Sequence, residues 1–181
     1  YEDEKISISN VILNHTIKCS GFIFKEKKSR RKIVKDRIEK YNIPFDKYNG
    51  IKEGADWIAT SGEIIKNNEI TLENTPAHSY AFCTDTIYNE ALIEKIKGID
   101  LLYHEATFKK DLVDRAKETG HSTTYEAATI AKKSAVKNLL IGHFSQRYKN
   151  LDELLIEAKD TFKNTHLAES GLVLDFNKLP S

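Results

Sequence analysis

The chain has 181 residues and a nearly balanced charge, with 28 lysines and arginines against 27 aspartates and glutamates. This length is enough for one domain with a buried core, and the net charge of +1 gives no indication of a polyanionic partner. No apolar run approaches the length of a membrane span and the N-terminus lacks a signal-peptide pattern, so we expect a cytoplasmic protein without a membrane partner. The spacing of Cys19 and Cys83 favours reduced, buried thiols over a disulfide or a metal finger.

The first 26 residues predict two neighbouring strands joined by a loop. Apolar residues alternate from Ile6 to Leu13, and a second apolar run follows at residues 21–24. The loop between them presents His15. A histidine in such a loop more often has a structural role than a metal-binding one.

Residues 27–74 differ in character, because they are charged and poor in long apolar runs. We interpret them as an inserted arm rather than a second domain, with one amphipathic helix that ends near Asn42, before Pro44. Basic residues are concentrated where the arm begins and include Lys28, Arg30 and Arg31. Such a run is usually a solvated face, and the alternative is a surface for phosphate contacts.

Residues 75–181 alternate between predicted strands and helices, a pattern typical of an α/β fold. Thr123 and Glu126 fit a capping box at the start of one helix. The predicted strands are 79–83, 100–103, 136–141 and 172–176, and the predicted helices are 89–97, 109–118, 123–134 and 151–162.

Three residues suited to metal binding or proton transfer follow predicted strands: Asp85, His104 and His143. Three such strand ends predict a hydrolytic metal site at the edge of a sheet. Taken alone, Asp85 is also explained as a helix N-cap, and each histidine as a structural or surface residue.

A glycine-led segment, Gly120-His121-Ser122-Thr123, precedes the predicted helix with the capping box. Free N–H groups and the dipole at a helix start favour an anion, so His121, Ser122 and Thr123 are candidates for contact with a phosphate group. Simple capping is the alternative. Arg147 has a planar guanidinium suited to a phosphate.

These segments together resemble the ribonuclease Z family of the metallo-β-lactamase superfamily. The resemblance rests on five motifs in the family's order, which are Asn14-His15, Thr84-Asp85-Thr86, His104-Glu105-Ala106-Thr107, Gly120-His121-Ser122-Thr123 and Gly142-His143-Phe144-Ser145-Gln146-Arg147-Tyr148. The family's first metal motif, His-x-His-x-Asp-His, does not occur in the sequence. The chain also contains no methionine. We therefore expect it to be the C-terminal portion of a longer protein.

The resemblance implies the C-terminal half of an αββα sandwich, divided into residues 1–26, an arm at 27–74 that holds tRNA, and residues 75–181. It implies that His15, Asp85 and His143 are metal ligands in a site for two zinc ions, with manganese or another divalent ion as the alternative. It implies that His104 protonates the leaving 3′ oxygen.

The activity implied by the resemblance is removal of 3′ trailers from precursor tRNA by a homodimer, with the remaining ligands supplied by the missing N-terminal half. We expect the 181-residue chain by itself to be inactive. Two other readings stay open. One is a different phosphodiesterase of the metallo-β-lactamase fold, and the other is a non-catalytic half that binds tRNA or dimerises.

Overall fold

The structure is a computed structural model that describes residues 1–74 and 76–180. It divides into two compact units, one formed by Tyr1–Glu26 with His78–Ser181 and the other by Lys27–Ala77. Among the described residues, no helix is long and apolar enough to cross a bilayer.

The elements of the larger unit form an α/β fold. The strands are β1 (Ile6–Leu13) and β2 (Cys19–Glu26), and the smaller unit follows with β3 (Lys32–Ile33), α1 (Lys35–Lys40), α2 (Tyr48–Lys52), β4 (Trp57–Ile58), β5 (Ile64–Ile65), α3 (Asn67–Ile70) and β6 (Thr71–Leu72). The larger unit resumes with β7 (Ser79–Cys83), α4 (Ala91–Lys95), β8 (Leu101–Glu105), α5 (Val113–Thr119), α6 (Thr124–Lys133), β9 (Asn138–Gly142), α7 (Asp152–Thr161) and β10 (Thr165–Leu167). Short 3₁₀ turns lie at Phe45–Lys47, Lys110–Leu112 and Phe176–Lys178.

The six strands of the larger unit form one sheet in the order β1-β2-β7-β8-β9-β10. β1, β2 and β7 are antiparallel neighbours, whereas β7, β8, β9 and β10 run parallel. The parallel strands are joined through helices, as parallel connections require. Their carboxyl ends therefore meet at one edge of the sheet, together with the loop between β1 and β2.

Alternation along the strands gives the sheet two different faces. Ala81, Cys83 and Leu102 point into a core that also contains the apolar residues of α4 and α6. Phe82 and Tyr103 lie on the other face, where their rings stack with centroids 4.7 Å apart. α6 begins with the predicted capping box, because the Thr123 side chain and Glu126 exchange hydrogen bonds with each other's backbone N–H.

The smaller unit has its own core, formed by the buried residues Ile43, Ile51, Ile65 and Ile70. Two strand pairs, β3 with β6 and β4 with β5, frame it. The predicted helix is present as α1, and the chain turns at Asn42, whose φ of 47° is left-handed.

The sequence prediction is wrong at the C-terminal end of the sheet. The last strand is Thr165–Leu167, and no strand forms at residues 172–176. Residues 165–167 are few and polar in part, so they carry no alternation long enough to be recognised. Their pairing with β9 creates the strand.

Candidate metal and proton-transfer site

Four side chains converge at the carboxyl edge of the parallel strands. Asp85 follows β7, Glu105 ends β8, His143 follows β9, and His121 follows α5. Among the described residues these four form a group in which one ligand atom from each lies within 4.8 Å of all the others. Strand register produces this convergence, since Cys83 pairs with His104 and Glu105 pairs with Gly142 across the three strands.

Glu105 is the buried centre of the group, and its side chain is fully inaccessible to solvent. Its Oε1 accepts hydrogen bonds from the Thr86 backbone N–H at 2.6 Å and from His121 Nδ1 at 2.9 Å. Its Oε2 accepts hydrogen bonds from the Thr107 hydroxyl at 2.7 Å and from the Ser122 backbone N–H at 3.1 Å. Two carboxylate oxygens offer about four acceptor positions, so Glu105 has no position left for a metal.

His121 is held in one tautomer by Glu105. A carboxylate only accepts hydrogen bonds, so the proton of the 2.9 Å contact lies on Nδ1 and leaves Nε2 open. The ring lies in tilted contact with two other histidines, with its centroid 5.1 Å from that of His15 and 5.1 Å from that of His143. A histidine whose Nδ1 donates to a buried carboxylate is arranged for proton transfer at Nε2.

Asp85 and His143 form the more exposed side of the group, with 39% and 43% of their side chains accessible. His143 Nε2 lies 3.4 Å from Asp85 Oδ1. Two tetrahedral ligands at zinc distances of about 2.0–2.1 Å are separated by ~3.3 Å, so this spacing fits two ligands of one ion. The pair therefore passes a test of fit for a divalent metal.

Both of these residues have a left-handed backbone, with φ of 53° at Asp85 and 60° at His143. This conformation costs about 1–3 kcal/mol for a residue other than glycine and is concentrated at functional sites. The helix-cap explanation for Asp85 is also excluded, because α4 starts only at Ala91 and its N-cap is Glu90.

His15 lies beside the group in the loop between β1 and β2. Its Nδ1 is 2.7 Å from the Gly120 carbonyl oxygen, which only accepts, so Nε2 of His15 is left with its lone pair. Gly120 has φ of 80°, and a Cβ built there would lie 2.6 Å from His15 Nδ1. Glycine is therefore required at position 120 both for the backbone conformation and for the approach of His15.

His104 does not reach the group, which corrects the role predicted for it. Adjacent residues of a strand point to opposite faces, and His104 is directed into the helix-covered core with no accessible surface. Its Nδ1 is 2.7 Å from the Glu105 backbone oxygen, and Nε2 has no hydrogen-bond partner. Burial lowers the pKa of His104 below its usual range. A side chain enclosed in this way is unsuited to protonating a substrate.

Ser122 and Thr123 are also unsuited to the substrate contact predicted for them, because both are fully buried. The Ser122 hydroxyl donates to the Thr86 carbonyl oxygen, and the Thr123 N–H donates to Glu126. Capping and internal hydrogen bonds therefore account for this loop. Of the three residues predicted there, the structure brings only His121 to the site.

The remaining candidates are basic residues at two separate places. Arg147 is exposed, with its guanidinium 5.0 Å from the centroid of the Phe108 ring, and Phe108 in turn lies 6.5 Å from His121. Lys28, Arg30 and Arg31 belong to the smaller unit. There Arg30 lies 3.3 Å from Glu53, and Arg31 donates to the Thr71 hydroxyl.

Sequence reasoning placed Glu105 beside a histidine but did not identify it as the centre of the site. The signal was its position as a charged residue at the end of an otherwise apolar strand, where a buried carboxylate must have several donors. Thr107 has no sequence signal of its own beyond its place in the His104-Glu105-Ala106-Thr107 motif.

Solved structures with the same arrangement show which class of fold this is. The Bacillus subtilis protein YhfI, described as a metallo-β-lactamase fold protein, superposes with a TM-score of 0.61 at 20% identity, over 97% of this chain and 52% of that one. A long form of RNase Z from yeast superposes with a TM-score of 0.61 at 18% identity, over 96% of this chain and 18% of that one. The chain thus has a metallo-β-lactamase fold.

The relationship by sequence is narrower. Ribonuclease Z from Bacteroides thetaiotaomicron is 44% identical over 177 residues, which are 98% of this chain and 56% of that protein. No protein-family profile matches the chain. The chain is a homologue of ribonuclease Z over nearly its whole length, which confirms the resemblance, and it spans little more than half the length of the curated relatives that it matches.

Proposed function

We propose that the complete protein is a zinc-dependent endoribonuclease that removes 3′ trailers from precursor tRNA. The observation that carries the proposal is the meeting of two different pairs at one sheet edge. Asp85 with His143 fits a metal, and Glu105 with His121 fits a proton donor. Phosphodiester hydrolysis needs both functions, and the 44% identity to a ribonuclease Z favours tRNA as the substrate.

The ligands from this chain are Asp85, His143 and His15. They form a mixed set of carboxylate and imidazole donors, which suits zinc, and each imidazole has its Nδ1 engaged and its Nε2 available. The rest of the ligand set is proposed to come from a His-x-His-x-Asp-His motif outside these 181 residues. When bound, zinc supplies Lewis acidity that stabilises negative charge on the phosphate oxygens.

His121 is proposed to be the proton donor in place of His104. Cleavage breaks the bond between phosphorus and the 3′ oxygen, and the departing oxygen needs a proton. With its Nδ1–H bound to Glu105, His121 has Nε2 free, and the ring in its protonated form would donate the Nε2 proton. The Glu105 carboxylate fixes the orientation of the ring and its tautomer, as the acidic member of a catalytic triad does.

The experiment that tests the proton-donor role uses a precursor tRNA with sulfur in place of the scissile 3′ oxygen. A thiolate leaves without protonation, so the His121→Ala variant should lose about 10²- to 10⁴-fold in rate on the oxygen substrate and almost nothing on the sulfur substrate. Equal losses on both substrates would remove His121 from this role. His166→Ala, a histidine in β10 outside the group, is the matched control.

The isolated 181-residue chain is proposed to be inactive, since part of the ligand set is missing from it. Cleavage of precursor tRNA by the purified chain alone, with a rate that survives removal of traces of longer protein, would contradict this. Restored cleavage on addition of a separately expressed N-terminal segment would support it.

The smaller unit is proposed to contact the tRNA backbone through Lys28 and Arg30, both of them exposed. Each lost phosphate contact should lower the slope of log affinity against log salt concentration by about 0.7–0.9. A double alanine variant of the complete protein should therefore bind precursor tRNA more weakly and with a shallower slope, at an unchanged cleavage rate under saturating tRNA. An unchanged slope would exclude these two residues.

A further inference from the structure

Thr107 lies between the two pairs of the site and contacts both. It follows β8 by two residues, and only 7% of its surface is accessible. Its hydroxyl oxygen is 2.7 Å from Glu105 Oε2, 3.0 Å from His143 Nδ1 and 2.9 Å from the His143 carbonyl oxygen. Glu105 also binds His121, so this hydroxyl is the direct link between the proton donor's carboxylate and a metal ligand.

A hydroxyl has one proton to donate, and this limits how the three contacts are used. The strongest acceptor nearby is the Glu105 carboxylate, because hydrogen bonds to an ionised group are the shorter and stronger ones. When Thr107 donates to Glu105, its lone pairs face His143 Nδ1, and the 3.0 Å contact is satisfied when Nδ1 carries the proton.

We propose that Thr107 is a positioning residue that sets the tautomer of His143. With the proton on Nδ1, His143 presents an unprotonated Nε2 on the side of Asp85, 3.4 Å away, where a metal would be held. The opposite tautomer would point an N–H at that position and prevent coordination. The inference deepens the proposed function and rests on it for the role of His143 as a ligand.

The chemistry of position 107 makes the proposal specific. Valine has nearly the same shape as threonine but no hydroxyl, and serine keeps the hydroxyl without the methyl group. Hydrogen bonds that orient a ligand histidine are typically worth ~10- to 100-fold in metal affinity. Loss of the hydroxyl should therefore be visible in metal binding itself, and rescue by serine would separate it from a packing effect.

The test compares wild type, Thr107→Val and Thr107→Ser in the full-length protein. Zinc affinity is measured by competition with a chromophoric chelator, and the His143 tautomer by ¹⁵N-histidine NMR of the metal-free protein near pH 8, with the signal assigned from a His143→Asn variant. We expect Thr107→Val to lose ~10- to 100-fold in zinc affinity, to lose the preference for Nδ1–H and to lower kcat with little change in KM. Thr107→Ser should stay close to wild type in all three.

Wild-type zinc affinity and an unchanged tautomer in a folded Thr107→Val protein would overturn the proposal. If that variant does not fold, as judged by circular dichroism, Thr107→Ala replaces it, since alanine removes the hydroxyl without placing a methyl group against the His143 ring. The two hypotheses fail separately. A changed tautomer and zinc affinity in a protein that cuts no precursor tRNA would count against the proposed function alone, whereas an active wild type with an unaltered valine variant would count against Thr107 alone.

Discussion

The two pairs at the sheet edge differ in how completely the protein satisfies them. Glu105 is buried and accepts four hydrogen bonds from its surroundings, so its geometry is complete without any ligand. Asp85 and His143 are about two-fifths exposed, lie on strained backbone and keep ligand atoms directed at each other. The difference shows that a group of four potential ligands need not be one metal site. Saturation of a carboxylate by donors identifies the member that orients rather than binds.

The largest expected effect is on the cleavage rate and comes from removing Asp85 or His143, the exposed pair. Under the proposed function, His143→Ala and Asp85→Ala should each lower cleavage of precursor tRNA by the complete protein about 10³-fold or more, because each would remove a proposed ligand to a metal that supports several kcal/mol of charge stabilisation. Zinc content should fall, while tRNA binding stays nearly intact. Cleavage kinetics, metal analysis and filter binding measure the three quantities, with Asp114→Ala in α5 as an exposed carboxylate control. A loss of binding as large as the loss of rate would contradict this division of roles.

Disrupting the pair of Glu105 and His121, in which Glu105 already accepts four hydrogen bonds, should lower stability as well as activity. Glu105→Gln places an amide NH₂ against groups that donate, so we expect the free energy of unfolding to fall by about 2–4 kcal/mol. Urea denaturation of the metal-free protein measures this. The matched variant is Glu153→Gln, whose exposed contact with Lys109 should be worth less than about 1 kcal/mol. A stable Glu105→Gln protein would show that the four donors do not hold this carboxylate.

His104, buried in the core, gives the fold a pH dependence of stability. Burial lowers its pKa in the folded state, so the unfolded chain binds more protons once the pH falls below the ordinary histidine pKa of about 6.5. Stability should therefore be unaffected by His104 above this pH and decline as the pH falls through it. His104→Phe should flatten that decline in melting curves recorded from pH 8 to pH 5 with chelator present. An identical pH slope in wild type and variant would exclude His104 as the source.

The smallest expected effect is on stability, and it distinguishes a hydrogen bond that supports the fold from one that affects zinc binding. Ser122→Ala removes one buried hydrogen bond to the Thr86 carbonyl oxygen, and it should lower the free energy of unfolding by about 1 kcal/mol. Zinc affinity should not change, since the Ser122 backbone N–H still donates to Glu105. A changed zinc affinity would mean that the two sides of the site are coupled through this loop as well as through Thr107.

Much of the fold follows from local patterns in the sequence. β1 and β7 have the predicted bounds, and the α6 capping box is present, because alternation and capping are properties of a few neighbouring residues. β10 could not be predicted, since three residues become a strand only through pairing with β9. Short-range sequence patterns thus predict most strands and helices, whereas the last strand depends on long-range pairing that such patterns do not contain.

The site was predictable in its location but not in its roles. The strand ends at Asp85 and His143 indicated the sheet edge at which the four candidate side chains converge. Which of the neighbours His104 and Glu105 faces that edge depends on where β8 ends, and the strand extends two residues past its predicted end at Tyr103. That extension, set by pairing with β9, places His104 inside the core and leaves Glu105 at the site.

The left-handed backbone at Asp85 and His143 has a consequence for how this protein tolerates mutation. Glycine and asparagine adopt this conformation most easily, yet neither supplies the carboxylate or the imidazole present there. Substitutions that relax the chain at these two positions are therefore ones that remove a proposed metal ligand. A deep mutational scan should therefore give different results under two selections. Selection for thermal stability of the metal-free protein should favour glycine or asparagine at positions 85 and 143, whereas selection for tRNA processing should retain aspartate and histidine there.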